Sequence, residues 1–94
     1  MQMTLDNPTN WYVYIVQCSD NTLYTGICVN IKYRLHQHNM LKSGARYTRS
    51  RRPVKLVYLE TSTSRSLATR REYEIKQMNV KQKRALIQHQ HRAK

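Results

Sequence analysis

Five side chains of kinds that together could hydrolyse a phosphodiester are spread along this chain: Tyr14, Tyr24, Arg34, His38 and Glu72. Such a reaction needs water activated for in-line attack, charge stabilised on the phosphoryl oxygens and help for the departing alkoxide. An arginine can hold the phosphate, a tyrosine or histidine can move the proton, and a metal on one carboxylate can ease the leaving oxygen. The five residues supply one of each with little redundancy. Two of them are also oddly placed. After Asn30 as a helix N-cap, Ile31, Leu35 and Leu41 draw an apolar face, and at about 100° per residue Arg34 and His38 fall within it. Burying such groups without partners is costly, so their placement marks either a paired structural group or a site.

The elements that must carry them can be read along the chain. Residues 1–10, with Asp6, Asn7, Pro8, Thr9 and Asn10, form a loosely held polar lead. Trp11 to Val16 is an unbroken run of aromatic and β-branched residues, apolar on both faces, which predicts a central strand covered on each side. Ser19-Asp20-Asn21 is turn chemistry, and Leu23 to Ile27 makes the returning strand of a hairpin. Gly26 within it signals a bend or a close approach by another group.

The helix from Ile31 to Leu41 follows, then a cation-rich loop over Lys42 to Pro53, a third strand over Val54 to Glu60 and a helix from Arg65 to about Met78. Leu67, Ala68, Ile75 and Met78 form that helix's stripe, with Glu72 at its margin and Arg71 unexplained in its middle. Asn79 with Gln82 reads as a capping box for a last helix through Ile87. The prediction is an α/β fold, a small three-stranded antiparallel sheet flanked by helices in the order β-β-α-β-α-α. Residues 11–88 form its one domain, and 89–94, with His89 and His91, a polar basic tail.

Seventeen Lys and Arg against five Asp and Glu leave a net charge of +12, and no cation precedes Lys32. A polyanion is the natural partner, and nucleic acid the commonest soluble one; an anionic membrane surface is the alternative. No stretch is long and apolar enough to span a bilayer and no leader opens the chain, so a cytoplasmic protein is expected. Cys18 and Cys28 form no CxxC pair and read as free, packed thiols. A zinc site with His36 and His38 fits no common ligand spacing.

Tyr12-Val13-Tyr14, then Tyr24-Thr25-Gly26 ten residues after Tyr14, Arg34 eight beyond Gly26, His38 four later and Glu72 on a following helix make a specific set. It resembles the GIY-YIG nuclease domain over about Trp11 to Ile87. Gly44-Ala45-Arg46-Tyr47-Thr48 with Arg51-Arg52-Pro53 is similar to the small stand-alone bacterial members and to the nuclease subunit of the eukaryotic enzyme that cuts branched DNA. The resemblance implies that Tyr14 and Tyr24 line the site, one of them as general base. It implies that Arg34 stabilises the scissile phosphate and that His38 assists proton transfer or orients the phosphate. Glu72 would hold a single divalent ion, magnesium or manganese (Mg²⁺ or Mn²⁺), and Gly26 would let the backbone approach the site. Tyr12 stands where the family name has Gly and Thr25 where Ile or Val is usual; Asn79 lies too near Glu72 to match the family's later asparagine.

Tyr47 among Arg46, Arg49, Arg51 and Arg52, with Thr48, suits stacking on unpaired bases beside phosphate contacts. The expected activity is therefore metal-dependent endonucleolytic cleavage of DNA, chosen by single-stranded or branched shape more than by sequence, since no second domain reads a long site; RNA stays open. Competing readings keep the fold without catalysis, as a DNA- or RNA-binding module or a ribosome-associated protein. Tyr14 and Tyr24 would then be cross-strand packing, and Arg34 with Glu72 an interhelical ion pair.

Overall fold

The computed structural model describes residues 10–92. The polar lead is thus outside the described residues but for Asn10, as are the last two residues of the tail. Strand β1 spans Trp11–Gln17, β2 Leu23–Cys28 and β3 Lys55–Ser62, and β1 lies between the other two, antiparallel to both. The apolar run on both faces of β1 explains that place: Val13 to Val16 are wholly buried, a burial open only to a strand with cover on each side. The hairpin closes through Asn21, at φ 69°, while the Asp20 carboxylate accepts from the Thr22 N–H and hydroxyl.

Alternation along β1 divides the interior into two layers. Val13 and Ile15 pack with Tyr58, Ala68, Ile75 and Ile87, under helices α3 (Arg65–Lys76) and α4 (Val80–Arg92). Tyr14 and Val16 face the other way, against Cys18, Cys28, Val54 and the Ile31 and Leu35 side chains of α1 (Ile31–Met40). Both cysteines are free and buried. The Asn30 side chain caps α1 by accepting from the Tyr33 N–H at 3.0 Å, and Leu41 is already extended beyond it. Asn79 and Gln82 cap α4 reciprocally, each side chain accepting from the other's backbone N–H at 2.8 and 2.9 Å.

Several expectations need correction. The loop after α1 contains a short helix, α2 (Arg46–Arg49), too brief to leave a periodic signature. Leu67 is 48% exposed; the buried stripe of α3 is Ala68 and Ile75, a spacing of two turns. Arg71 is explained by charge: its Nε donates to both Glu60 carboxylate oxygens at 3.0 and 3.1 Å, and Nη1 to Glu74. Residues 89–92 are helical instead of tail. There Gln90 pairs with the Leu59 N–H and carbonyl and His91 reaches the Val57 carbonyl, so α4 covers the outer edge of β3.

Candidate active site

Tyr14 leaves β1 directly opposite Gly26 of β2, and that pairing is sterically forced. A Cβ on residue 26 would stand 2.5 Å from the Tyr14 hydroxyl and 2.7 Å from its Cζ, closer than side chains pack. The close approach that Gly26 permits is therefore by a phenol. Neither glycine of the chain has a positive φ. Gly44 likewise stands where a Cβ would strike the Gln37 carbonyl.

The Tyr14 hydroxyl meets two groups of α1. It lies 2.7 Å from His38 Nε2 and accepts from Arg34 Nε at 3.2 Å. His38 and Tyr14 are fully buried, and Arg34 is half-buried with Nη1 donating to Gln37 Oε1. Across the ring, His38 Nδ1 is 2.8 Å from the hydroxyl of Thr48, which itself donates to the Ala45 carbonyl at 3.0 Å. Tyr24 joins by its ring, edge-on to His38 at 5.4 Å and stacked on Tyr47 at 5.9 Å.

Burial dominates the proton affinities here. It pushes the Tyr14 phenol up to about 12, against the pull of the neighbouring Arg34 guanidinium. It lowers His38 to about 4, helped by the positive charges of Arg34 and Arg52. At neutral pH the site thus holds a protonated phenol against a neutral imidazole. Both ring nitrogens of His38 are engaged, and His36 is exposed. Among the described residues no group of three or more His, Cys, Asp or Glu could hold a metal.

Glu72 stands apart from the Tyr14, Arg34 and His38 group, with Lys76 as its partner. Helix α3 crosses β1 and β2 on the sheet face opposite α1, and the Glu72 carboxylate pairs with Lys76 one turn on, at 3.2 Å. No ion pair joins it to Arg34, so the interhelical pair considered from sequence is absent among the described residues. The chemistry of the donor still suits a hard divalent ion. Mg²⁺ needs only one or two carboxylates when waters and substrate phosphate complete its shell. Every carboxylate of the described residues is ion-paired, but Asp20, Glu60 and Glu74 are held by arginines. Glu72, 20% exposed, faces only a half-exposed lysine on its own helix, a pairing worth about 0.3–0.5 kcal/mol.

The basic loop divides into surface and scaffold. Arg46 and Arg49 are exposed. Arg52 is half-buried, and its guanidinium donates to the carbonyls of Gln37, His38 and Leu41, closing the end of α1. Thr48 is fully buried, with its hydroxyl between His38 Nδ1 and the Ala45 carbonyl. Arg51 pairs with Asp20 at 3.0 Å and lies 4.0 Å over the Tyr47 ring, which Tyr24 also stacks against. Tyr47 thus has Arg51 over its ring and Tyr24 stacked beside it, while 39% of it stays exposed. Tyr33, beside Arg34, and Tyr73, beside Glu72, are 54% and 66% exposed, and sequence reasoning passed over both. Only their adjacency to those two residues could have singled them out.

The model of the GIY-YIG catalytic domain matches residues 10–85. A UPF0213 protein of Desulfotalea psychrophila is 60% identical over 82 residues, covering 87% of this chain and 74% of that protein. A UPF0213 protein of Staphylococcus haemolyticus is 54% identical over 77 residues, covering 82% and 93%. The solution NMR structure of a UPF0213 protein from Bacillus halodurans superposes with a TM-score of 0.55 at 38% identity, over 84% of this chain and 83% of that one.

Proposed function

Because the chain belongs to the GIY-YIG family of nucleases, we propose that it is a metal-dependent endonuclease for DNA in which Tyr14, and not Tyr24, is the general base. One observation carries this reading: the Tyr14 hydroxyl accepts from Arg34 Nε and lies within hydrogen-bonding distance of His38 Nε2. A phenol is a useful base only if its proton has somewhere to go and its oxygen has a cation to answer it. Tyr14 has both, and Tyr24 has ring contacts instead.

The resting site is not ionised. Burial raises the phenol and lowers the imidazole, so moving the proton from one to the other is uphill at rest. Transfer is therefore concerted with attack, when negative charge growing on the phosphoryl oxygens stabilises the imidazolium. Tyr14 gives its proton to His38 Nε2 as its oxygen takes one from the attacking water. The water oxygen bonds to phosphorus, the ester P–O bond breaks, and the departing oxygen takes a proton from solvent. His38 then releases its own to solvent, while Arg34 holds the phosphate throughout. Glu72 would hold the divalent ion, which supplies charge at the leaving oxygen when bound. β2 is an edge strand with α1 on one face and α3 on the other.

Arg46 and Arg49 give the nucleic acid its backbone contacts, and the exposed rings of Tyr33 and Tyr73 favour substrates with unpaired bases, single-stranded or branched. The test is a panel of labelled single-stranded, duplex, flap and junction DNA with RNA, with and without Mg²⁺. Wild type should cut DNA only with the ion. Glu72→Ala should abolish cutting while DNA affinity stays nearly unchanged; equal cutting by both proteins would defeat the proposal.

A further inference from the structure

We infer that Thr48 is a positioning residue: it dictates which nitrogen of His38 carries the proton, and thereby presents a bare Nε2 to Tyr14. The inference rests on the reading of Tyr14 and His38 as the proton-transfer pair, and it comes from counting protons along the network. The Thr48 hydroxyl has one, and donates it to the Ala45 carbonyl at 3.0 Å. Facing His38 Nδ1 at 2.8 Å, the same oxygen can then only accept, so Nδ1 bears the hydrogen. The neutral ring has no second one, which leaves Nε2 as a lone pair 2.7 Å from the Tyr14 hydroxyl. Tyr14 donates there and accepts from Arg34 Nε. Every donor in the chain has one acceptor.

The other tautomer breaks this order. With the hydrogen on Nε2, the Tyr14 oxygen would receive donors from both His38 and Arg34, and its own proton would face neither partner. The Thr48 hydroxyl hydrogen would have to rotate from the Ala45 carbonyl to Nδ1, giving up its bond to that carbonyl. The surrounding loop holds the acceptor that the hydroxyl would leave. The Ala45 carbonyl also accepts the Thr48 and Arg49 backbone N–H groups at 3.2 Å, so it is fixed at the start of α2. Gly44 passes too close to the Gln37 carbonyl to carry a side chain, and Arg52 grips the Gln37, His38 and Leu41 carbonyls from beyond. Much of what the sequence marks as a nucleic-acid loop is thus the scaffold that sets the state of one imidazole.

The test is the ¹⁵N spectrum of the His38 ring at neutral pH, read with single-turnover cleavage. Wild type should show a protonated Nδ1 and an unprotonated Nε2. Thr48→Val keeps the shape and removes the acceptor, and should move the ring toward the Nε2–H form with a rate loss of about 100-fold. Thr48→Ser retains the hydroxyl, and should restore both the spectrum and most of the rate. A wild-type ring protonated at Nε2 overturns the inference without any variant, even if Thr48→Val does not fold. A Thr48→Val ring that keeps the wild-type tautomer overturns it as well, as does Thr48→Ser behaving like Thr48→Val. The spectrum needs no substrate. A wild-type protein with the expected ring that cut no DNA would count against the nuclease reading and leave the assignment of Thr48 standing.

Discussion

Replacing Gly26 by alanine tests the geometry at its tightest point. The added methyl would sit 2.5 Å from the Tyr14 hydroxyl oxygen, 2.7 Å from Cζ and 3.1 Å from Cε2, where ordinary contact begins at 3.4 Å. Relief requires the phenol to retreat by about 1 Å, and it has little freedom to do so. Tyr14 is fully buried on the central strand, with its oxygen between His38 at 2.7 Å and Arg34 at 3.2 Å. Overpacking of this kind costs about 1–3 kcal/mol. A shift of about 1 Å would also stretch the bond to His38 beyond hydrogen-bonding range and slow the reaction by about 100-fold. Urea unfolding gives the first number and single-turnover cleavage the second. The two effects can be tied to one cause, because the atom nearest the methyl is the hydroxyl itself. In a Tyr14→Phe background Gly26→Ala should cost measurably less stability than in wild type. Wild-type stability and rate for Gly26→Ala would mean that the phenol does not lie under residue 26, and the site as described would be wrong.

Other consequences concern single groups. His38 stays neutral in the native protein down to about pH 4 but takes a proton below about 6.5 when unfolded. The unfolded state binds more protons between those values, so stability should fall by about 3 kcal/mol as pH drops from 6.5 to 4; if urea midpoints show His38→Gln with the same slope over that window, the burial argument fails. Thr25, on the strand face opposite Tyr24, has the one buried side-chain oxygen without a hydrogen-bond partner among the described residues. Thr25→Val should raise stability by about 1 kcal/mol with cleavage unchanged, and a destabilised variant would reveal a partner for that hydroxyl. Arg46→Ala with Arg49→Ala should flatten the salt dependence of single-strand binding by about 0.7 in log–log slope for each phosphate no longer neutralised. Arg52→Ala should instead lower the unfolding free energy by about 1–2 kcal/mol, because the His38 carbonyl would lose its donor and the Gln37 and Leu41 carbonyls would keep only a backbone N–H; the reverse pattern would exchange their assignments.

What the sequence made legible follows from how physical signals repeat. The run from Trp11 to Val16 has one interpretation, a strand buried on both faces, and β1 is that strand. Arg34 and His38 broke the apolar arc of a helix, and both meet the Tyr14 hydroxyl. Asn30 and the Asn79–Gln82 pair cap the helices they announce, because capping is local in sequence. Signals carried by long-range partners were invisible. An arginine has the same letter whether it grips a helix end, as Arg52 does, or faces solvent, as Arg49 does. The buried hydroxyl of Thr48 looked like surface because it lies among cations, and a four-residue helix such as α2 has no period to detect. Gln90 and His91 resembled a solvated tail, since nothing local foretold that they would meet β3.

Tyr14 is the residue on which the proposed chemistry turns. Single-turnover cleavage of a labelled DNA substrate in Mg²⁺ should be about 100- to 10,000-fold slower for Tyr14→Phe than for wild type. Tyr24→Phe, which keeps the ring contacts with His38 and Tyr47, should be far less impaired. A Tyr14→Phe protein that cuts as fast as wild type, or a Tyr24→Phe protein slower than Tyr14→Phe, would contradict the assignment of the base.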